Sequence, residues 1–270
     1  MKIEVNGINI NYAVHGQGPE LILIHGFGGN LTYWEPQVRA FSQKFRVITF
    51  DQRGCGQSGQ PQFGFRIDDL VEELHQLMIA LKVAKAYLLG FSQGGAIALL
   101  TAVEHPEMVR ALVMSNSSLE FAAAVTREQK EMAANMMALL EKDGITRFAE
   151  MFTNMNFSPG LKERTPAVWD GYYRMLLRGR PETLIGIIKA GLEAPPPPPD
   201  LTKIKCPVLF IQGEYDSMVT PERRKRAYES IIGSQLVTFP VGHATAAEAP
   251  EEFNRVVLEF LAECEAKWTA

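Results

Sequence analysis

The sequence predicts an α/β protein whose parallel sheet is covered by helices on both faces. Short runs of β-branched residues and leucine are continuously apolar, as strands buried on both faces of a parallel sheet require. Segments with apolar residues three and four positions apart lie between these runs, which is the spacing of amphipathic helices. Because the two patterns alternate along most of the 270 residues, a parallel sheet with helical layers is favoured.

The predicted elements follow one another from the N-terminus. The first residues alternate imperfectly around Asn6-Gly7, a strong signal for a two-residue hairpin turn. Six later apolar runs predict strands, at residues 21–24, 46–50, 86–89, 111–114, 207–211 and 236–239. The helical spacing is clearest at residues 70–81 and 253–261.

The alternation stops between residues 119 and 200. This stretch shows only helical patterns and holds six of the eleven methionines. It ends in five consecutive prolines, 195–199, which favour a stiff extended segment. We therefore predict a core domain of residues 1–118 and 201–270, with 119–200 as a helical lid ending in a proline strap. An extra helical layer without functional motion is the alternative.

The apolar residues of this lid suggest a substrate pocket. Met136, Phe152 and Trp169 are the predicted contacts, because methionine and aromatic side chains line adaptable apolar sites. The same residues would serve equally well as the lid's own core.

Composition limits the possible partners. A net charge of −4 gives no reason to expect nucleic acid, whose binders carry basic patches. No apolar stretch reaches the length of a membrane span, and the N-terminus lacks the apolar core of a signal peptide. The three cysteines are scattered without metal-binding spacing, so we expect a cytoplasmic protein without metal or organic cofactor. The oligomeric state stays open.

The strongest functional signal is Gly90-Phe91-Ser92-Gln93-Gly94, directly after the strand at 86–89 and before an apolar helix. Glycines two positions away on each side permit a sharp strand-to-helix turn that exposes the serine hydroxyl. The helix N-terminus then points toward developing negative charge. Ser92 is therefore the predicted nucleophile.

A serine nucleophile needs a base, and the base needs a carboxylate to hold its tautomer. His243 follows the last predicted strand, and Asp216 follows the strand at 207–211, with Glu214 as a weaker candidate for the acid. Both loops leave the carboxyl edge of the sheet, where Ser92 also lies. The other four histidines are assigned to loop anchoring, surface or capping roles: His15, His25, His75 and His105.

The glycine-rich loop after the first apolar run predicts the oxyanion hole. Two backbone N–H groups must face the carbonyl oxygen that becomes negative, and we assign them to Phe27 and Gln93. A phosphate-binding role is disfavoured because no G-K-[ST] or dinucleotide spacing follows. Asp51 is expected to support its own tight loop, with an ion pair to Arg53 as one means. Cys55 in that loop is read as a passive residue rather than a reactive thiol.

With these residues in place, the chain resembles the α/β-hydrolase superfamily along nearly its whole length. The matching segments, in order, are His25–Gly28, Asp51–Ser58, Gly90–Gly95, Gly213–Asp216 and Gly242-His243. The resemblance implies an eight-stranded, mostly parallel sheet with a helical cap inserted after the sixth strand. Within the superfamily, the chain is similar to lactonases and esterases, including 3-oxoadipate enol-lactonase-like proteins.

This resemblance implies a serine hydrolase that cleaves a small carboxylic ester or lactone through an acyl-enzyme. Dehalogenases and epoxide hydrolases are disfavoured, because they place an aspartate where Ser92 stands. Carbon–carbon bond hydrolases and cofactor-free perhydrolases use the same triad and remain alternatives. A ligand receptor on the hydrolase scaffold is a further alternative of a different class.

Overall fold

The computed structural model describes residues 1–61, 65–117, 126–193 and 198–269. Its strands are β1 (Lys2–Val5), β2 (Ile8–His15), β3 (Glu20–Ile24), β4 (Arg46–Phe50), β5 (Ala86–Phe91), β6 (Val109–Ser115), β7 (Val208–Gly213) and β8 (Gln235–Phe239). They form one sheet in the order β1-β2-β4-β3-β5-β6-β7-β8. Only the pairings of β2 with β1 and β4 are antiparallel. The predicted mostly parallel, eight-stranded sheet is confirmed.

The N-terminal hairpin forms at the predicted turn. Val5 pairs with Ile8, so Asn6 and Gly7 are the only residues of the loop. Both have positive φ, 47° and 70°, as the hairpin turn that matches strand twist requires. Asparagine and glycine tolerate this conformation, which explains why a short local sequence was sufficient to predict the turn.

Helices cover both faces of the sheet. They are α1 (Glu35–Phe41), α2 (Ile67–Ala80), α3 (Gln93–Glu104), α4 (Arg127–Asn156), α5 (Leu161–Arg164), α6 (Pro166–Leu176), α7 (Pro181–Glu193), α8 (Pro221–Glu229), α9 (Thr245–Glu248) and α10 (Pro250–Thr269). Among the described residues, no helix combines the length and apolarity needed to cross a bilayer.

Two apolar clusters lie on opposite sides of the sheet. Successive strand residues point to opposite faces, so Leu21 and Leu23 join one cluster while Ile22 and Ile24 join the other. The first cluster includes residues of α1, α4, α6 and α10. The second includes residues of α2, α3 and α8. The buried strands therefore need continuous apolar runs, as the sequence shows.

The helical cap, α4 to α7, follows β6 as expected. Gly144 interrupts α4 with a φ of 73°, so this element consists of two helical segments. The start of the predicted lid at residue 119 and prolines 195–197 of the strap lie outside the described residues. Pro198 and Pro199 belong to no helix or strand. The cap packs its apolar side onto the first cluster, beside the carboxyl edge of the sheet.

Arg53 forms a buried ion pair with Glu73 of α2, and not with Asp51 as the sequence suggested. The guanidinium Nε lies 2.5 Å from Oε1 of Glu73, and the two side chains are 10% and 2% exposed. Oε2 of Glu73 has no hydrogen-bond partner among the described residues. Burial raises the pKa of Glu73 to about 7, although the charge and hydrogen bond of Arg53 oppose this increase. The pair fixes the loop after β4 to α2.

We expect Arg53→Met to destabilise the protein more at pH 8 than at pH 5. Because the folded-state pKa of Glu73 is raised, the stability linked to this group is greatest at low pH and decreases as the pH rises through about 7. At pH 8 the wild-type carboxyl is largely ionised and paired. The variant lacks the charge and hydrogen bond that lower the pKa of Glu73, so this group must either take up a proton or stay buried as an unpaired carboxylate, and both add a cost that is absent at pH 5. At pH 5 the carboxyl is protonated, so the loss is smaller. Urea unfolding at both pH values measures the difference.

The matched control is the double variant Arg53→Met, Glu73→Gln, which removes the charge that the single variant leaves behind. Because the double variant has no titrating carboxyl at position 73, its own stability should not fall between pH 5 and pH 8 through this group. If the single variant showed the same pH dependence as the double variant, the carboxylate of Glu73 would not control this region.

Candidate active site

Ser92 lies at the turn between β5 and α3, and its backbone is strained. Its φ is 51° and its ψ is −116°, a region that residues with a side chain rarely adopt. The N–H of Ser92 donates to the carbonyl of Ser115 at the end of β6, at 2.9 Å. The hydroxyl is half-buried and makes no hydrogen bond with any described residue. Nucleophiles without substrate often have this loose geometry.

Glycines on both sides of Ser92 make this turn possible. A Cβ on Gly90 would overlap the carbonyl of Gly94. A Cβ on Gly94 would in turn overlap the carbonyl of Ile24, the last residue of β3. Both positions therefore require glycine, and their close contacts place the start of α3 directly against the loop that follows β3.

Asp216 and His243 come together above the carboxyl edge of the sheet. Oδ2 of Asp216 lies 2.8 Å from Nδ1 of His243, and both side chains are almost completely buried. Oδ1 of Asp216 accepts hydrogen bonds from the N–H groups of Met218 and Val219, at 2.8 and 3.0 Å. Burial alone would raise the pKa of Asp216, but the charge and hydrogen bond of His243, with further hydrogen bonds, lower it. This carboxylate is therefore ionised at neutral pH.

His243 also borders the serine turn. The ring of Phe91, the residue before Ser92, lies 5.1 Å from the imidazole of His243, measured between ring centroids. Among the described residues, no direct hydrogen bond joins Ser92 to His243. The structure therefore brings the predicted acid and the predicted base into contact and places His243 against the residue before the serine.

The loop after β3 lies against the same turn. Gly26 packs on Phe91, and the half-buried Phe27 follows it. The N–H of Gln93, the first residue of α3, and the N–H of Phe27 donate no hydrogen bond to any described residue. Two free backbone donors on adjoining segments are suited to binding an oxygen that gains negative charge.

The comparisons with known proteins agree with this geometry. The family model described as "alpha/beta hydrolase fold" matches residues 19–250. The chain belongs to this family.

The α/β-hydrolase family includes similar proteins with a stated activity. The 3-oxoadipate enol-lactonase 2 of Acinetobacter baylyi is 29% identical over 252 residues, covering 93% of this chain and 92% of that protein. The solved enol-lactonase from Burkholderia xenovorans LB400 has a TM-score of 0.88 at 26% identity, covering 97% of this chain and 100% of that one. A malate-bound thermophilic esterase from Thermogutta terrifontis has a TM-score of 0.86 at 26% identity, covering 98% of both chains. These similarities support hydrolase activity.

Two further loops of this α/β hydrolase have structural roles. His25 accepts a hydrogen bond from the N–H of Gln52 at 3.1 Å and contacts the carbonyl of Gly26, so it ties the loop after β3 to the loop after β4. Burial lowers the pKa of His25, which favours the neutral ring whose Nε2 can accept the hydrogen bond from Gln52. Asp51 organises its loop by accepting hydrogen bonds from Asn11, Leu31 and Gln57.

The thiol of Cys55 has the passive character expected of it. Burial, with the charges of Asp51 and Glu73, raises its pKa to about 12. A thiol with so high a pKa supplies almost no reactive thiolate at neutral pH.

The predicted lid residues differ in their contacts. Phe152 of α4 meets the ring of Phe27 edge to face, with 5.6 Å between centroids, and stacks on Phe148. Trp169 stacks on Tyr173 of the cap, and its Nε1 donates to Asn154 at 2.8 Å. Met136 is buried in the cluster that the cap shares with the sheet. Phe152 therefore lies beside the loop after β3, while a substrate contact for each of the three stays a prediction.

Asn116, which the sequence analysis did not identify, connects the acid to the histidine loop. Its Nδ2 donates to Oδ2 of Asp216 at 3.1 Å. Its Oδ1 accepts from the hydroxyls of Thr245 and Ser115, at 2.6 and 3.1 Å. Because two hydroxyl groups donate to the oxygen, the amide nitrogen must face Asp216. The backbone of Asn116 has a positive φ, 48°, but this property is visible only in the structure. The sequence alone therefore does not indicate that this position is special.

We expect Asn116→Leu to unfold at a higher pH than the wild type during acid titration. Because the folded-state pKa of Asp216 is lowered, its contribution to stability is present above its ordinary value of 3.8 and is lost as the pH falls through the folded-state pKa. Removing the amide raises that pKa and reduces stability at neutral pH by about 1–3 kcal/mol. Circular dichroism followed from pH 7 to pH 2 measures the shift.

The control is the same substitution in an Asp216→Asn background, where no carboxylate remains to be stabilised. Asn116→Leu should move the acid midpoint less there, because only the strained backbone and the lost hydroxyl contacts remain. A shift of equal size in both backgrounds would mean that Asn116 acts only through packing.

Proposed function

We propose that this α/β hydrolase cleaves a small carboxylic ester or lactone through an acyl-enzyme formed on Ser92. The observation that carries the proposal is the buried hydrogen bond between Asp216 and His243, on a loop beside a strained, half-exposed serine. A buried carboxylate that orients an imidazole is the arrangement that activates a serine hydroxyl. The similarity to enol-lactonases and an esterase supports the ester and lactone class.

In this mechanism, Nε2 of His243 removes the proton of Ser92 as the hydroxyl attacks the substrate carbonyl. The N–H groups of Phe27 and Gln93 hold the oxyanion, and the protonated His243 then donates its proton to the leaving alcohol. A water molecule activated by His243 hydrolyses the acyl-enzyme. Asp216 stays ionised throughout, in agreement with its lowered pKa.

The cap supplies the apolar side of the substrate pocket in this proposal. Phe152 is the central contact because its ring meets Phe27, whose N–H is one of the two oxyanion donors. Met136 and Trp169 extend the pocket along the cap. The core of residues 1–118 and 201–270 then carries the reaction, while residues 119–200 select the substrate.

We expect Ser92→Ala to lower kcat for p-nitrophenyl esters by about 10⁴-fold or more while the protein stays folded, because the nucleophile is lost and no core side chain is removed. His243→Gln should have a similar effect. The measurement is steady-state hydrolysis over a series of acyl chain lengths, together with labelling of the serine by a phosphonate probe.

An exposed histidine provides the control. His15→Gln, in the N-terminal hairpin, should retain wild-type activity. Ester hydrolysis that persists in clean Ser92→Ala protein would refute the nucleophile. A wild type that reacts with the probe but turns over neither esters nor lactones would instead indicate the carbon–carbon, perhydrolase or receptor alternatives.

We expect Phe152→Leu to shift the acyl-chain preference toward longer esters. The smaller side chain opens space beside Phe27, so kcat/KM for octanoate should increase several-fold relative to kcat/KM for acetate, by about the value of one or two buried methylene groups. Trp169→Phe is the comparison within the cap. If both variants keep the wild-type ratio of kcat/KM for octanoate to kcat/KM for acetate, the acyl chain does not occupy this part of the cap.

A further inference from the structure

A second group of titratable side chains lies where α2 packs beside the carboxyl end of α3. Nδ1 of His75 lies 3.2 Å from Oε2 of Glu72, one helical turn away on α2. The rings of His75 and His105 stack, with 3.8 Å between centroids and 16° between planes. One donor atom from each of the three residues lies within 4.8 Å of the other two. Ser92 directly precedes α3 and His105 directly follows it, so this group is separated from the serine by the length of the helix.

The donor set suits a transition-metal ion. Two imidazoles and one carboxylate are ligands that Zn²⁺, Ni²⁺ and Cu²⁺ accept readily. The Glu-x-x-His spacing places both side chains on one face of a helix, as in known carboxylate-histidine metal sites. Ligands about 2.0–2.2 Å from zinc in tetrahedral geometry lie about 3.2–3.6 Å apart, which the Glu72–His75 pair already satisfies. A rotation of the stacked His105 ring brings in the third donor.

The surroundings of the group favour a cation. Nε2 of Gln76 donates to Oε1 of Glu72 at 2.6 Å, and this leaves Oε2 directed toward His75. The hydrogen bond from Gln76 is the main reason that the pKa of Glu72 is lowered; burial opposes it, and His75 and His105 add to the lowering. The carboxyl end of α3 adds the negative end of a helix dipole. An outer hydrogen bond that orients a ligand is typical of metal sites.

We propose that Glu72, His75 and His105 bind one divalent transition-metal ion, represented by Zn²⁺, which links α2 to the end of α3. Water completes the coordination, since the three side chains are only partly buried. The ion is exchangeable and stabilises the helical layer on the face of the sheet away from the cap. Ser92 is not part of this metal site, so the proposal does not depend on the proposed hydrolysis.

The test is calorimetric titration of chelator-treated protein with zinc chloride, with Glu72→Gln, His105→Gln and His15→Gln variants in parallel. Wild type should bind one ion per chain and increase its Tm in zinc. Glu72→Gln retains the hydrogen-bonding shape of the residue, so it should fold normally yet bind at least 10-fold more weakly. His105→Gln should weaken binding similarly, whereas His15→Gln should bind as wild type.

Cobalt provides an independent readout of the ligands. Co²⁺ bound by these residues should give weak visible bands without the intense near-ultraviolet band of thiolate ligation, and Glu72→Gln should abolish the spectrum. Absence of zinc binding by wild type would overturn the proposal. Equal binding by all variants, or a thiolate band that points to a cysteine, would overturn it as well.

Discussion

The close approach of α3 to the end of β3 is the constraint on which the rest of the site depends. A side chain at Gly94 would overlap the carbonyl of Ile24, so the serine turn and the loop after β3 share one small volume. Because of this contact, the two segments that carry the free N–H groups of Phe27 and Gln93 lie side by side. The unusual backbone of Ser92 costs about 1–3 kcal/mol. The strand before Ser92 is fully buried and the helix after it is largely buried. The packing of these two elements holds the turn in place and offsets the cost of the strained backbone.

The histidine loop is held by the cap as well as by the sheet. The carbonyl of Asn156, the last residue of α4, accepts from the N–H of Ala244 at 2.8 Å. Glu248 accepts from the N–H of Gly242 at 2.9 Å and from that of Ser158 at 3.0 Å. Asn156 thus hydrogen-bonds directly to one neighbour of His243, and Glu248 links the other neighbour, Gly242, to Ser158 just after α4. This end of the cap is part of the scaffold that positions His243, so an opening of the cap would have to occur elsewhere along it.

Local sequence was sufficient for the sheet, the hairpin and the helical insertion, and it singled out Ser92, Asp216 and His243, whose catalytic roles stay a prediction. Each of these depends on residues adjacent in the chain: an apolar run, a pair of turn residues, or glycines two positions from a serine. The features that sequence missed depend on distant residues. Arg53 pairs with Glu73 rather than its near neighbour Asp51, because α2 packs over the loop after β4.

The same reason explains the stacked histidines. His75 was assigned a surface or capping role because it lies on a predicted helix, and His105 is 30 positions away in the sequence. Only the packing of α2 against α3 brings the two rings together. Spacing rules for metal ligands recognise pairs within one helix or one loop, so a third ligand from another element is invisible to them.

The network around Asp216 explains why this predicted acid can be both buried and charged. Each oxygen accepts two hydrogen bonds: Oδ1 from Met218 and Val219, and Oδ2 from His243 and Asn116. A buried carboxylate with all of these donors loses little by leaving water, since the protein replaces the hydration it gives up. In the proposed mechanism, this charge stabilises an imidazolium without taking its proton. Asparagine suits position 116 because its oxygen is occupied by two hydroxyl donors, and because it tolerates the left-handed backbone there. An aspartate at that position would place a second negative charge beside Asp216, while leucine would leave one of its acceptor sites empty.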